Sequence, residues 1–206
     1  MSAALAFEGF PKIVRLKRDM VVPESADGLV TEKIDGVNGA VVIRDGRVVA
    51  AQNRSWFVTP ESDKYGFAAW ADANADVLAA KLGDGCHFGE WWGQGIRRHY
   101  GMDHKRFSLF NAARWTQQLL DDRDADAIGL GVVPVLHEGV LSRELIDHAL
   151  VDLRDQGSVA APGFQNPEGV VIWLTAEQRF FKYTLENDNQ SKWAVTPIIA
   201  PQVRAA

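Results

Sequence analysis

The dipeptide Asp45-Gly46 constrains this chain most. It interrupts residues 39–51 (GAVVIRDGRVVAA), an otherwise apolar stretch rich in β-branched side chains. Asp-Gly accepts the positive φ angles of a tight turn, so the stretch reads as an antiparallel hairpin. A glycine-bearing turn separates it from an earlier strand at 29–33 (LVTEK). Further strand signals lie at 86–92, 107–110, 130–137 (LGVVPVLH), 169–174 (GVVIWL) and 179–185 (RFFKYTL). Two segments have helical spacing instead. In 65–82, Phe67, Trp70, Val77 and Leu78 fall on one side and Gly83 stops the run. Ser142 caps a helix over 143–155, which buries Leu145, Ile146, Ala149, Leu150 and Leu153 and ends before Gly157. The expectation is an α+β chain with many strands and with helices on the outside.

The 206 residues suit one fairly large domain that can bury its own core. With 47% hydrophobic and 24% charged residues, whole-chain disorder and coiled-coil readings are excluded. The single cysteine, Cys86, rules out an intramolecular disulfide and a Cys-rich zinc site. The first twenty residues lack the basic-then-apolar order of a secretory signal. No apolar run approaches the ~20 residues that span a bilayer. A cytoplasmic location is expected by default.

Net charge is −5, from 22 basic and 27 acidic residues, which argues against a general nucleic-acid coating protein. A local basic groove remains open, because a phosphate backbone responds to the field near its site. Arg97, Arg98, Lys105, Arg106 and Arg114 cluster beside His99 and His104, with Asp103 as the opposing charge. The run is either a solvated surface or an RNA-backbone contact.

The densest chemistry lies in Thr31-Glu32-Lys33-Ile34-Asp35-Gly36-Val37-Asn38-Gly39, where a lysine ends an apolar strand before a turn. A free lysine amine has a pKa near ~10.4 and is protonated at neutral pH. Burial or crowding by cations lowers that value and makes the amine a nucleophile. The alternative is a surface lysine ahead of an Asx-type turn. Downstream, Glu90 sits in His87-Phe88-Gly89-Glu90-Trp91-Trp92-Gly93 and aromatics occupy Phe107-Ser108-Leu109-Phe110-Asn111. Glu168 precedes Gly169-Val170-Val171-Ile172, and Lys182 interrupts an aromatic strand at Phe180-Phe181-Lys182-Tyr183. A lysine within an apolar strand is uncommon without a buried anionic partner.

In this order and spacing the motifs resemble those of the covalent nucleotidyltransferases, and most of all ATP-dependent RNA ligases of the phage nick-sealing and RNA-editing type. The resemblance covers about residues 10–193. It implies a nucleotidyltransferase (ATP-grasp-like ligase) domain of two twisted, mostly antiparallel sheets with flanking helices. It implies that Lys33 attacks the α-phosphorus of ATP, forming lysyl-AMP and releasing pyrophosphate. Glu32 would read the adenine amino group, favouring ATP over GTP, and Phe110 would stack on the ring. Asn38 and Arg54 would lie near the phosphates and the RNA end, and Glu90 would hold the ribose. Glu168 would help place Mg²⁺ or Mn²⁺, and Lys182 would contact the α-phosphate. AMP would then pass to an RNA 5′-phosphate, and a 3′-hydroxyl would displace it. Arg54, Arg97, Arg98, Lys105 and Arg106 would bind the RNA backbone.

Three departures qualify these implications. The family's last motif carries two lysines as K-x-K, whereas Thr184 follows Lys182 here and Phe180 precedes it. The second contact is either missing or supplied by Thr184 or Lys192. Asn111 stands where Asp is common. Residues 1–206 read as a single adenylyltransferase domain, with no C-terminal helical domain or OB-fold, which leaves room for a partner protein to replace the missing part. The competing functional readings are DNA sealing, GTP-dependent capping chemistry, and a non-catalytic nucleotide or RNA binder. Asn38 and the lack of an OB-fold weigh against the first two.

Overall fold

The computed structural model describes residues 5–17, 20, 22, 26–115 and 123–185. Among these, eleven strands form two sheets. The larger sheet contains β3 (Val37–Arg44), β4 (Arg47–Asn53), β5 (Phe57–Val58), β6 (Gly85–Gly93), β7 (Lys105–Leu109) and β8 (Leu130–Val132), in the order β5-β4-β3-β6-β7-β8. The smaller contains β1 (Val14–Arg15), β2 (Ala26–Lys33), β9 (Val135–Leu141), β10 (Gly169–Leu174) and β11 (Arg179–Thr184), in the order β1-β11-β10-β2-β9. Pairing is antiparallel except for β1–β11 and β7–β8.

The hairpin is β3–β4, with Asp45 and Gly46 at φ 51° and 68°. The strands that precede and follow the Lys33 turn do not pair with each other. β2 belongs to the small sheet and β3 to the large one. Residues 34–36 therefore carry the chain from one sheet to the other and set Lys33 at the seam. Gly36 is required there, because a Cβ would strike the Trp91 carbonyl and the Trp92 side chain. The expected strand at 130–137 crosses the same seam. Val133-Pro134 breaks it into β8 and β9, since proline has no N–H for a continuous ladder. The Pro134 carbonyl instead accepts from Glu32 N–H at 2.9 Å.

The expected helix at 65–82 is two helices, α1 (Phe67–Ala73) and α2 (Ala75–Leu82). Asn74, at φ −116°, leaves helical geometry between them, and its amide donates to the Trp70 carbonyl at 2.7 Å. Both pack on the large sheet through Phe67, Ala71, Leu78, Trp91 and Phe107. A short α3 (Arg123–Ala127) adds Ala125 to that core. On the small sheet, α4 (Arg143–Gln156) buries Ile146, Leu150 and Leu153 against Val30, Val170 and Ile172. Ser142 caps it by accepting from Leu145 N–H at 3.2 Å. A third cluster, with Leu29, Ile34, Trp92, Tyr100 and Val133, joins the inner faces of the sheets. Each such side chain contributes about 1.5–3 kcal/mol on burial, enough to fix how the two sheets meet.

Candidate active site

Strand register builds the site from the small sheet. Lys33 pairs with Gly169, Thr31 with Val171, and Val171 with Lys182. Period-two alternation puts Lys33, Thr31, Val171 and Lys182 on one face. Thr184 pairs with Gly169 and shares that face with Lys182 and Phe180. Thr184 is thus placed where the second lysine of a K-x-K motif would fall, whereas Lys192 lies outside the described residues. Glu168, one residue ahead of β10, approaches the end of Lys33, and Lys33 Nζ donates to Glu168 Oε2 at 2.6 Å. Both side chains are 19% exposed, so the pair is sheltered yet reachable.

The large sheet supplies the opposite wall. Asn38 and Glu90 face each other across β3 and β6. Glu90 Oε1 accepts from Gly36 N–H at 2.9 Å, which ties the turn after Lys33 to this wall. Burial pushes the Glu90 carboxyl up to about 7, opposed by the Lys33 charge and the Gly36 N–H. Glu168 is also raised by burial, with Lys33 pulling against the shift. Asn38 Oδ1 is buried without a hydrogen-bond partner, a condition shared among the described residues only by Gln52 Oε1. An unpaired buried acceptor costs about 1–3 kcal/mol, so Asn38 is poised for a donor from outside the chain. Cys86 is no rival nucleophile, since burial pushes its thiol up to about 11.

Lys33, Asn38, Arg54, Glu90, Phe110, Glu168 and Lys182 all line one cavity of about 530 Å³, within the range of small-ligand sites. A narrow apolar slot adjoins it, lined by Phe110, Val171, Trp173 and Phe180. Phe10 lies in the slot, 4.8 Å from Phe110 and 5.5 Å from Phe180 between ring centroids. Sequence reasoning missed Phe10 because its partners are remote in the chain.

Two expectations require correction, and Glu32 has partners that the sequence did not disclose. Alternation along β2 turns Glu32 away from Lys33. Its Oε1 accepts from Ser158 Oγ at 2.6 Å, and its Oε2 accepts from Val159 and Ala160 N–H at 2.8 Å each. At 1% exposure, this carboxylate braces the loop after α4, and it also lines the apolar slot beside Phe110. Burial raises its pKa, and these three donors oppose the shift.

Arg98 is no surface cation. Its side chain is 9% exposed and donates through Nε to Asp35 Oδ2 at 3.0 Å and through Nη1 to the Asn166 carbonyl at 3.1 Å. It links the turn after Lys33 to the loop before Glu168. Asp35 N–H also donates to the Tyr100 hydroxyl at 2.8 Å.

Lys105 and Arg106 do not line the cavity. Lys105 donates to the Tyr65 carbonyl at 2.9 Å, and Arg106 pairs with Asp126 at 3.4 Å. Of the basic run, Arg97 remains on the cavity wall, where it is exposed and held at φ 48°. Sequence reasoning counted charges and could not see which already had partners.

Among the described residues, no three His, Cys, Asp or Glu side chains gather to hold a metal ion. Glu168 and Glu90 still fit Mg²⁺ or Mn²⁺ bound jointly with substrate phosphates, since these ions accept one or two carboxylates and retain water.

Two antiparallel-rich sheets around a lysine–carboxylate cleft define a nucleotidyltransferase-type ligase fold. The chain belongs to the RNA ligase family, whose model matches residues 28–184. Naegleria gruberi RNA ligase with PPi is 20% identical, with a TM-score of 0.58 over 93% of this chain and 64% of that one. A variant of the same protein with AMP and Mn gives 18% identity and a TM-score of 0.59, covering 86% and 58%. Another, with ATP and Mn, gives 18% and 0.56, covering 80% and 50%. The chain thus spans half to just under two thirds of these neighbours' length. No curated protein matches the sequence.

Proposed function

We propose that this protein is an ATP-dependent RNA ligase that joins a 3′-hydroxyl to a 5′-phosphate through lysyl-AMP. The observation that carries this reading is the Lys33–Glu168 contact of 2.6 Å in the cavity that also gathers Asn38, Arg54, Glu90 and Lys182. Glu168 is the base placed to take the proton that Lys33 must lose, and burial raises its affinity for that proton. The neutral amine then forms an N–P bond at the α-phosphorus, and the bond to pyrophosphate breaks with its electron pair. Lys182 shares the cavity wall and would offset negative charge developing on the α-phosphate. While Glu168 carries the Lys33 proton, a divalent cation would sit on Glu90 and the substrate phosphates and would polarise the phosphates.

In the second step an RNA 5′-phosphate oxygen displaces Lys33 from phosphorus. In the third, the 3′-hydroxyl attacks the activated 5′ end and AMP leaves. Arg54 and Arg97 are the exposed cations on the cavity wall that would receive RNA phosphates. A cytoplasmic location and a partner that adds RNA contacts belong to the same reading. No helix among the described residues is long and apolar enough to cross a membrane. Incubation of nicked RNA duplex with protein, ATP and Mg²⁺ tests the proposal. A sealed strand is expected, and ATP-independent or absent sealing overturns it.

A further inference from the structure

The turn Asn53-Arg54-Ser55-Trp56 leaves β4 at the mouth of the cavity. Its shape is fixed from within. Asn53 Oδ1 accepts from Ser55 N–H at 2.8 Å and Trp56 N–H at 3.0 Å, and Asn53 N–H donates to the Trp56 carbonyl at 3.0 Å. This ordered turn holds Trp56 at 61% exposure, the most exposed large apolar side chain among the described residues. Trp56 lines the same cavity as Lys33, Glu168 and Lys182. An open indole gains little from water, and the turn gives it no core to enter. Arg54 precedes it in the turn, and Arg97 lies on the same cavity wall.

A planar aromatic beside exposed cations matches the recipe for holding single-stranded nucleic acid, in which bases stack while cations follow the phosphates. Resting on the RNA-ligase reading, we propose that Trp56 is a stacking platform for the terminal base of the acceptor RNA. Stacking would fix the last nucleotide and direct its 3′-hydroxyl into the cavity.

The test measures binding of a short 3′-hydroxyl oligoribonucleotide by fluorescence anisotropy, with and without a base on the terminal sugar. Trp56→Ala should weaken binding of the complete oligonucleotide about 5- to 150-fold, the range supplied by one base–aromatic stack. Trp56→Phe should recover most of it. Removing the terminal base should weaken the wild type similarly but leave Trp56→Ala almost unaffected. Equal base dependence in wild type and Trp56→Ala overturns the platform. A wild type that seals RNA but loses nothing on Trp56→Ala does the same while leaving the ligase reading intact. A wild type that binds no RNA overturns both.

The segment carrying Phe10 supports a second, independent inference. Phe7 meets Phe57 edge to face at 5.7 Å, and the Glu8 carbonyl accepts from Gln52 Nε2 at 2.5 Å. At the other end, β1 pairs with β11, and Leu16 N–H donates to the Lys182 carbonyl at 2.9 Å. The segment therefore straps the two sheets together across the cavity. At its middle Phe10 makes ring contacts with Phe88, Phe110 and Phe180. Phe10 is tilted 48° against Phe110 at 4.8 Å between centroids, so it occupies space that a base stacked on that side of Phe110, about 3.5 Å away, would need. We infer that the strap is an internal competitor for the base, which enters by displacing Phe10.

This rests on the nucleotide reading. Calorimetry should show Phe10→Ala binding ATP about 4- to 10-fold more tightly, since exposing a half-buried phenylalanine ring no longer opposes entry. Hydrogen exchange of wild-type residues 7–13 should speed up when ATP is added. Unchanged or weaker binding by Phe10→Ala, or slower exchange with ATP, overturns the strap. Binding of ATP without covalent transfer counts against the ligase reading but still judges the strap. Absence of ATP binding in both proteins overturns both.

Discussion

The floor of the cavity and its rim are built by opposite rules. On the floor, Lys33, Glu168, Glu90 and Asp35 are tied to one another or to backbone through contacts of 2.6 to 3.0 Å, and Arg98 braces them from behind. At the rim, Arg54, Trp56 and Arg97 stand in solvent on turns. A floor held this tightly suits in-line chemistry on a small ligand, where a displacement of about 1 Å can cost about 100-fold in rate. A sparse rim suits a polymer that is gripped weakly and released. Net charge tells the same story, since −5 overall leaves few cations for phosphate.

The largest effect should come from the floor. Glu168→Gln removes the proton acceptor beside Lys33 and should lower AMP transfer about 10²- to 10⁴-fold, the usual range for a general base. Labelled ATP and a time course check this. Loss of less than about tenfold would make Glu168 a structural partner only. Arg98→Ala should come next. It frees Asp35 and the loop before Glu168, so AMP transfer should fall about 10- to 100-fold. Direct binding of an RNA oligonucleotide should fall much less. The opposite ranking would return Arg98 to the rim.

Glu32→Ala should separate bracing from base reading. It leaves the Ser158 hydroxyl and the Val159 and Ala160 amides without their acceptor. Ser158 is buried and its unpaired hydroxyl costs about 1–3 kcal/mol, while the two amides are partly open to water, so thermal unfolding should shift down by a few degrees. The ratio of ATP to GTP labelling should stay the same. A changed ratio would restore Glu32 to the base-reading role.

Glu90 gives a signed pH test. Its carboxyl is raised from 4.5 to about 7, so between these values the folded state binds more protons than the unfolded. Stability from this group is fully present below about pH 4.5 and lost as pH rises through 7. Glu90→Gln should therefore flatten the fall in melting temperature across that window and raise it at pH 8. A steeper fall in the variant would contradict the assignment.

The smallest effect belongs to the rim. Raising salt should weaken RNA sealing before AMP transfer, because each neutralised phosphate contributes to the salt slope. Parallel decline of the two steps would mean that RNA is held elsewhere.

What the sequence disclosed follows the same division. The Lys33 turn and the residues ahead of β10 were legible because their chemistry is written within a few positions. The hairpin at Asp45-Gly46 was legible for the same reason. The partition of β2 and β3 between two sheets was hidden, because alternation reveals faces but not which sheet a strand joins. The same blindness merged β8 and β9 across Pro134. Glu32 lines the slot, as its place beside Lys33 suggested, but its hydrogen-bond partners lie 126 to 128 residues away and were hidden. Arg98 looked like its exposed neighbour Arg97, and only packing separates them.

The central claim is that Lys33 is the covalent nucleophile. Intact-mass spectrometry of the denatured protein after incubation with ATP and Mg²⁺ tests it most directly. The account predicts a gain of one AMP moiety, mapped to Lys33 by peptide analysis and absent from a folded Lys33→Ala protein. A wild-type protein that seals RNA without the adduct, or an adduct that survives in Lys33→Ala, would contradict it.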